Sequence, residues 1–136
     1  MADTIRCDIC VIGAGSAGLT VAAGASQLGA ATVLVEADRM GGDCLNVGCV
    51  PSKALIAAAH AAHRHRSSAP FGVAGDAPGV DMAAVRGHVR AVIAAIAPHD
   101  SQARMEGLGV RVIRAGARFV DERTVVAGDT RIAFYS

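Results

Sequence analysis

The sequence predicts an α/β fold that begins with a βαβ unit, and three observations in its N-terminal part support this prediction. An apolar run over residues 5–12 ends in glycine, as a buried parallel strand does. A glycine-rich turn at 13–18 leads into a predicted helix over 19–28, which Gly29 closes. A second apolar strand is predicted over 31–35, so strand, turn, helix and strand follow one another within about thirty residues.

The rest of the chain predicts two long helices and several short strands. Pro51 suits the first turn of a helix whose body covers 52–66, and Asp81 can cap a second helix over 82–96. The apolar face of that second helix is expected to contain Val85, Val89, Val92 and Ile96. The remaining segments are loops at 37–42 and 67–79, a short helix at 101–107, strands at 110–113, 117–120 and 124–132, and turns at 121–123 and 128–129. The last strands are expected to form a C-terminal β hairpin.

Length and composition limit the class of protein. With 136 residues, 52% of them hydrophobic and 18% charged, the chain has room for one domain. A formal net charge of +1 provides no basic surface, so we expect no nucleic-acid partner. The sequence has neither a signal-peptide pattern nor an apolar segment of transmembrane length, and we expect a cytoplasmic protein without a membrane partner. Four cysteines in such a chain favour redox chemistry, metal binding or core packing over a structural disulfide framework.

The turn at 13–18 reads GAGSAG, a GxGxxG pattern placed between a strand and a helix. Gly13 permits the tight turn, Gly15 lets a pyrophosphate approach the backbone, and Gly18 lets helix and strand pack closely. The phosphates then lie at the helix N-terminus, where free N–H groups favour an anion. Glu36 ends the next strand, where an acceptor for a ribose diol is needed, and its charge disfavours the 2′-phosphate of NADP. The loop predicts a bound dinucleotide but does not decide between FAD and NAD.

A second motif, GGDCLNVGCVPSK, covers residues 41–53. Cys44 and Cys49 are separated by four residues just ahead of a helix, and they can close a small disulfide loop because Gly48 gives the backbone freedom. A cysteine near a helix N-terminus has a lowered pKa, which stabilises the thiolate. Lys53, the single lysine of the chain, lies one helical turn after Cys49.

These thirteen residues resemble the active-site signature of the class I pyridine nucleotide-disulfide oxidoreductases. That family includes dihydrolipoamide dehydrogenase, glutathione reductase and mercuric reductase, and residues 108–132 also resemble its FAD domain. The resemblance implies a Rossmann-like FAD-binding domain. It also implies that Cys49 is the thiolate beside the flavin, that Cys44 is the interchange thiol, and that Lys53 tunes the flavin. Electrons would pass from NAD(P)H through FAD to the Cys44–Cys49 disulfide, and then to a disulfide or mercuric-ion substrate. The partner that the resemblance implies is a small disulfide, dithiol or mercuric ion.

The same resemblance implies the residues that line the cofactor. Residues Ser16, Ala17, Gly42 and Asp43 match lining positions, and Ala117 matches a backbone contact to the adenine. Asp43 is a departure, because many members carry threonine or another small neutral residue there. The expected cofactor-binding set is therefore Gly13, Gly15, Ser16, Ala17, Gly18, Glu36, Gly42, Asp43, Cys44, Lys53 and Ala117.

The family architecture is longer than this chain. It also needs a second GxGxxG domain for NAD(P)H and an interface domain that supplies a histidine–glutamate base across a homodimer. Neither is recognisable in residues 1–136, and residues 134–136 depart from the family pattern. We therefore expect a truncated N-terminal part of an FAD-binding domain, with weak or no FAD retention, no dimer and no turnover with NAD(P)H, which only the full-length parent would use.

The sequence is also compatible with two other classes of protein. One is an inactive dinucleotide-binding remnant, and the other is a metal-binding protein that uses cysteine and histidine. Cys7 and Cys10 form a Cys-x-x-Cys pattern on the first predicted strand. Residues three apart on one strand point to opposite faces, so one metal ion could not easily bind both, and we expect these cysteines to pack in the core. No metal site is therefore predicted there.

Histidines crowd the end of the helix at 52–66. They are expected to form a solvated basic helix end, which the helix dipole favours. A zinc site made by Cys44, Cys49 and His60 does not explain the flanking GG and PSK residues. The histidines concerned are His60, His63 and His65, while His88 and His99 are expected on the surface of the helix at 82–96 and its end.

Overall fold

The computed structural model describes residues 4–73 and 75–135. Its strands are β1 (Thr4–Cys7), β2 (Ile9–Ile12), β3 (Thr32–Glu36), β4 (Arg111–Arg114), β5 (Ala117–Asp121), β6 (Thr124–Ala127) and β7 (Thr130–Phe134). Its helices are α1 (Ser16–Gln27), α2 (Gly42–Asn46), α3 (Cys49–Arg66), α4 (Met82–Ile96) and α5 (Gln102–Gly107), with 3₁₀ turns at Ala69–Phe71 and Ala97–Asp100.

The strands form two sheets. Strands β2, β3 and β4 make a parallel sheet in the order β2-β3-β4, with α1 as the crossover between its first two strands. The second sheet has the order β1-β7-β6-β5, in which β1 is parallel to β7 and the other neighbours are antiparallel. The α/β fold with a βαβ unit and a C-terminal hairpin is confirmed.

The strand predicted over 5–12 is wrong in one respect, because it is two strands. The chain bends at Asp8, and β1 and β2 join different sheets. The backbone N–H of Asp8 donates to the carbonyl of Ala31 at 2.8 Å, and the Asp8 carboxylate accepts from the Ala31 N–H at 2.7 Å. Hydropathy alone does not show this bend, because both flanking segments are apolar.

The core consists of two clusters on either side of β3. The first cluster lies between the parallel sheet, α1 and α5, and its buried members are Val11, Ala14, Leu19, Ala22, Leu34, Met105 and Val110. The second cluster lies between the two sheets, and its buried members are Cys7, Val33, Val35, Val125, Ala127 and Ile132. Four successive residues of β3, from Thr32 to Val35, are buried, which explains why this strand is a continuous apolar run rather than an alternating one.

The helix predictions hold, with shifted starts. α1 begins at Ser16 and not at residue 19, and it ends before Gly29, whose φ of +92° is the left-handed closing conformation. α3 already begins at Cys49, so Pro51 lies in its first turn as predicted. The Asp81 carboxylate caps α4 by accepting from the N–H groups of Ala83 at 2.8 Å and Ala84 at 3.3 Å. The predicted apolar face of α4 is half-buried at all four positions: Val85, Val89, Val92 and Ile96.

The C-terminal segments also follow the prediction closely. Ser101 caps α5, and β6 and β7 form an antiparallel hairpin around Gly128, whose φ is +58°. The short helix α2 was not predicted, since residues after the loop at 37–42 were assigned no regular structure. Within the described ranges, no helix has the length and apolar character needed to cross a bilayer.

Candidate active site

The GxGxxG loop lies at the carboxyl ends of β2 and β3. The N–H of Gly13 donates to the carbonyl of Val35 at 2.8 Å, and the φ of Gly13 is +99°. A β-carbon on Gly18 would lie 1.8 Å from the Gly13 oxygen and 3.3 Å from a methyl group of Val11. Glycine is therefore required at position 18 for the close contact between α1 and β2, as the sequence predicted.

The first turn of α1 presents free donors. Gly15 is the N-cap residue, and among the described residues no side chain caps this end and no acidic residue occupies the first turn. Ser16 and Ala17 are exposed there. The N–H groups at the start of a helix lack intrahelical partners, so this turn fits the phosphate of a nucleotide.

Glu36 reaches back to the loop from the end of β3. One carboxylate oxygen accepts from the backbone N–H of Ala14 at 2.5 Å, and the other accepts from the N–H of Asp38 at 2.7 Å. Ala14 is fully buried. A carboxylate has about four acceptor positions, so the predicted role toward a ribose diol is compatible with both bonds.

The cysteine segment lies directly on this loop. The N–H of Gly41 donates to the carbonyl of Ala14 at 2.9 Å. A β-carbon on Gly42, whose φ is +55°, would lie 2.8 Å from the α-carbon of Gly15. The two sequence motifs, which lie far apart along the chain, therefore form one site.

The two cysteines lie on successive helices. Cys44 is half-buried on α2, and Cys49 is the exposed first residue of α3. The side-chain amide of Asn46 donates to the carbonyls of Met40 at 3.1 Å and Gly42 at 2.8 Å, which fixes α2 against the preceding loop. Each cysteine therefore lies on a helix, and hydrogen bonds of Asn46 hold the helix of Cys44 in place.

Gly48 connects these helices, and a close contact adds a second reason for its glycine beside the predicted backbone freedom. A β-carbon there would lie 2.9 Å from the carbonyl oxygen of Asp43. Glycine at position 48 therefore leaves space between the two cysteine-bearing turns.

The two thiols influence each other in opposite directions. Hydrogen bonding with the Cys49 side chain is the main cause that lowers the pKa of Cys44, and the Ser16 side chain and the charge of Lys53 lower it further. The same interaction with Cys44, followed by desolvation, raises the pKa of Cys49. In the chain alone, Cys44 is therefore the first of the two to ionise.

Three further residues of the expected site lie on α3, α2 and β5. Lys53 is exposed on α3, near enough for its charge to act on both thiols. Asp43 is exposed in the first turn of α2. Ala117 begins β5, shortly after the carboxyl end of β4, whose Arg114 is paired with Glu36.

Cys7 and Cys10 belong to the core, although the predicted reason is wrong. They lie on different strands and both pack into the second cluster rather than facing opposite sides of one strand. Burial raises the pKa of both thiols, that of Cys10 to about 11. Such thiols are poor nucleophiles and poor metal ligands near neutral pH.

The histidines lie apart from the cysteine pair. His60 is eleven residues after Cys49 on α3, about 16 Å along the helix axis. His60, His63 and His65 are all exposed, as are His88 and His99. Within residues 4–73 and 75–135, no group of three or more histidine, cysteine or acidic residues is arranged to hold a metal ion.

Three structural residues of the site were not singled out by the sequence. Ala14 joins Glu36 and Gly41 through its two backbone groups, and Asn46 fixes α2. Gly41 has a φ of +84°, and a β-carbon on it would lie 2.4 Å from the Leu45 side chain. Gly41 and Asn46 lie inside the motif at 41–53, so that motif was the available signal, whereas alanine at position 14 gave none.

The fold and the site together define an α/β protein with a Rossmann-like βαβ unit, in which a paired-cysteine segment packs on the glycine-rich loop. Residues 7–135 match the model of the pyridine nucleotide-disulphide oxidoreductase family, and the chain belongs to that family. This family comprises flavin-dependent oxidoreductases, so the resemblance stated from the two motifs is confirmed.

Several characterised relatives are similar to nearly the whole chain. Dihydrolipoyl dehydrogenase 2 of Haloarcula marismortui is 40% identical over 122 residues, which cover 90% of this chain and 25% of that protein. Dihydrolipoyl dehydrogenase of Geobacillus stearothermophilus is 36% identical over 93% of this chain and 27% of its own length. Mercuric reductase of Shigella flexneri is 37% identical over 93% of this chain and 24% of its own length. The chain thus spans about a quarter of the length of these relatives.

Proposed function

We propose that this chain is the N-terminal part of the FAD-binding domain of a disulfide oxidoreductase, with Cys44 and Cys49 as its redox pair. The observation that carries the proposal is the contact between Gly42 and Gly15, which leaves no room for a β-carbon. A dinucleotide held by the loop would then lie beside the cysteine segment. A Gly-rich loop without such a segment would support nucleotide binding alone.

The residues present fit FAD. Phosphates are assigned to the free N–H groups at the start of α1, and the adenosine ribose to Glu36. When bound, FAD supplies two-electron transfer between a reduced nicotinamide and a disulfide. The proposed binding set is Gly13, Gly15, Ser16, Ala17, Gly18 and Glu36, with Ala117 toward the adenine and Gly42, Asp43, Cys44 and Lys53 toward the flavin.

The two cysteines are proposed to perform thiol–disulfide exchange. The Cys44 thiolate attacks one sulfur of a substrate disulfide, which forms a mixed disulfide and releases the other sulfur as a thiolate. Cys49, once deprotonated, attacks the Cys44 sulfur, which closes the Cys44–Cys49 disulfide and releases the second substrate thiolate. The lowered pKa of Cys44 suits it to the first attack. Cys49 is assigned the position next to the flavin, and Lys53 the role of tuning the flavin.

The rest of the proposal concerns the whole protein. NAD(P)H as the reductant, a homodimer, a cytoplasmic location, and a disulfide, dithiol or mercuric-ion substrate are proposed for the full-length enzyme. The relatives named dihydrolipoyl dehydrogenase and mercuric reductase support the last of these. For residues 1–136 alone we propose weak FAD binding and no turnover.

The test is FAD titration of the purified chain, followed by flavin fluorescence and calorimetry. Saturable binding that ADP competes away is expected, and a long-wavelength absorbance band on partial reduction should be lost in Cys49→Ser but kept in Cys10→Ser. Absence of any saturable FAD binding, together with tight NAD binding, would overturn the assignment of the cofactor. FAD binding without that band would indicate a dinucleotide-binding remnant instead.

A further inference from the structure

Glu36 and the cysteine-bearing helix α2 are joined by two successive hydrogen bonds. The Glu36 carboxylate accepts from the N–H of Ala14, and the carbonyl of Ala14 accepts from the N–H of Gly41. Gly41 is the N-cap residue of α2, which carries Cys44. A carboxylate at the end of β3 is therefore connected to the redox helix through a single buried residue.

Ala14 is the buried link between these two hydrogen bonds, and water cannot take the place of its bonding partners. Its side chain is 0% exposed, and its N–H points at Glu36 from inside the first cluster. A buried N–H without an acceptor is costly, so loss of the carboxylate favours a movement of the loop that lets the N–H find another partner. Any such movement also displaces the Ala14 carbonyl, to which Gly41 is bonded.

The space around the loop limits how that movement is absorbed. Gly42 packs on Gly15 so closely that no β-carbon fits between them, and Asn46 ties α2 to the preceding loop. The segment therefore moves together with the loop instead of sliding over it. The position of Cys44 relative to Cys49, which lies on the separate helix α3, then depends on the loop.

We infer that Glu36 is a positioning residue for the Cys44–Cys49 pair, acting through Ala14 and Gly41 in addition to its assigned role toward a ribose. The inference rests on the proposed function only in taking these cysteines as the redox pair. It makes Glu36 a part of the redox site even when no nucleotide is bound.

The test uses the cofactor-free chain in glutathione redox buffers, with the fraction of Cys44–Cys49 disulfide measured by mass spectrometry. Glu36→Ala is expected to lower the equilibrium constant for disulfide formation by about 2- to 30-fold, the range typical of coupling through connected networks. Glu122→Ala removes the same side chain from the exposed turn between β5 and β6, and it should leave the constant unchanged.

Two further variants separate the effect of side-chain length at position 36 from that of its charge. They also keep the test decisive if Glu36→Ala does not fold. Glu36→Gln keeps an amide oxygen at the same length, so it should restore a constant close to that of the unchanged chain. Glu36→Asp keeps the charge but is one methylene shorter, so it should behave like Glu36→Ala. The reverse order, with aspartate restoring and glutamine not, would overturn the inference in favour of a direct electrostatic effect on the thiols.

Amide hydrogen exchange gives an independent measure of the same bridge. In Glu36→Asp the protection of the Gly41 amide should fall, while that of Val125 in the second cluster should stay unchanged. Equal losses at both amides would mean general destabilisation and would overturn the inference. Failure of the unchanged chain to form the disulfide would count against the proposed function, whereas the exchange result for Gly41 would still decide whether the bridge exists.

Discussion

Gly42 and Gly15 approach each other so closely that a β-carbon on Gly42 would lie 2.8 Å from the α-carbon of Gly15. This contact joins the helix of the redox pair to the start of α1. Carbon atoms at that separation must move apart. Here one is the added β-carbon and the other a backbone α-carbon, so no flexible side chain can relieve the contact. The contact is therefore a point where a single methyl group should separate the two motifs.

Gly42→Ala is expected to destabilise the chain by about 2–4 kcal/mol, from overpacking together with the positive φ of residue 42. Gly87→Ala is the matched control, because Gly87 lies within α4 and a β-carbon there would meet no atom of another part of the described chain within 4 Å. That control should stabilise the chain by up to about 1 kcal/mol, since alanine is the better helix former. Urea unfolding of both variants measures the difference, and a loss of the same sign in both would contradict the packing argument.

Alkylation should distinguish the four cysteines of the chain. Cys44 is expected to react first with iodoacetamide near neutral pH, because its pKa is lowered, while Cys7 and Cys10 stay protected in the folded chain. Peptide mapping after short labelling times measures the order. Preferential labelling of Cys10 would contradict its placement in the second cluster.

The Cys44 thiolate should depend on its neighbour. Cys49→Ala removes the side chain that contributes most to the lowered pKa of Cys44, so the pH at which Cys44 becomes reactive should rise. The pH profile of alkylation provides the measurement. Cys10→Ala, which alters a thiol in the second cluster, should leave the profile of Cys44 in place; an identical profile in Cys49→Ala would rule out the interaction between the paired thiols.

Alkaline conditions should weaken the fold through Cys10. Its pKa in the folded chain is about 11, above the ordinary value of 9.0, so the unfolded chain loses this proton first. The contribution to stability is thus complete below pH 9.0 and is lost as the pH rises toward about 11. In Cys10→Ala the free energy of unfolding should fall less steeply over this interval, as measured by urea titrations; an unchanged slope would assign the alkaline loss to other groups.

The cap of α4 offers a direct test of local structure. Asp81→Ala should cost about 1 kcal/mol, because the N–H groups of Ala83 and Ala84 lose their acceptor. Asp81→Asn keeps an acceptor oxygen, and its stability should stay within a few tenths of a kcal/mol of the unchanged chain. Thermal unfolding followed by circular dichroism compares the two variants, and equal losses in both would show that charge rather than capping is responsible.

The sequence was most informative where one residue type has one physical use. Gly18 and Gly29 were assigned correctly, because a close contact and a left-handed turn each require glycine. Asp81 was assigned correctly because an aspartate ahead of an amphipathic helix is a typical N-cap.

The sequence was least informative where backbone groups make the contact. The bend at Asp8 depends on hydrogen bonds to Ala31, and the connection from Glu36 to Gly41 passes through an alanine that no motif distinguishes. The pKa of Cys44 is lowered and that of Cys49 is raised, and these opposite shifts likewise depend on which side chains face each thiol in space. Spacing along the chain contains no information of this kind.

Strand β3 contributes alternate residues to the two clusters, since Leu34 belongs to the first and Val33 and Val35 to the second. If β3 leaves its place, both clusters lose buried side chains at the same time. The two sheets should consequently unfold in one cooperative transition rather than as separate units. The redox segment, which lies at the carboxyl end of this strand, would then acquire and lose its geometry in step with the whole chain.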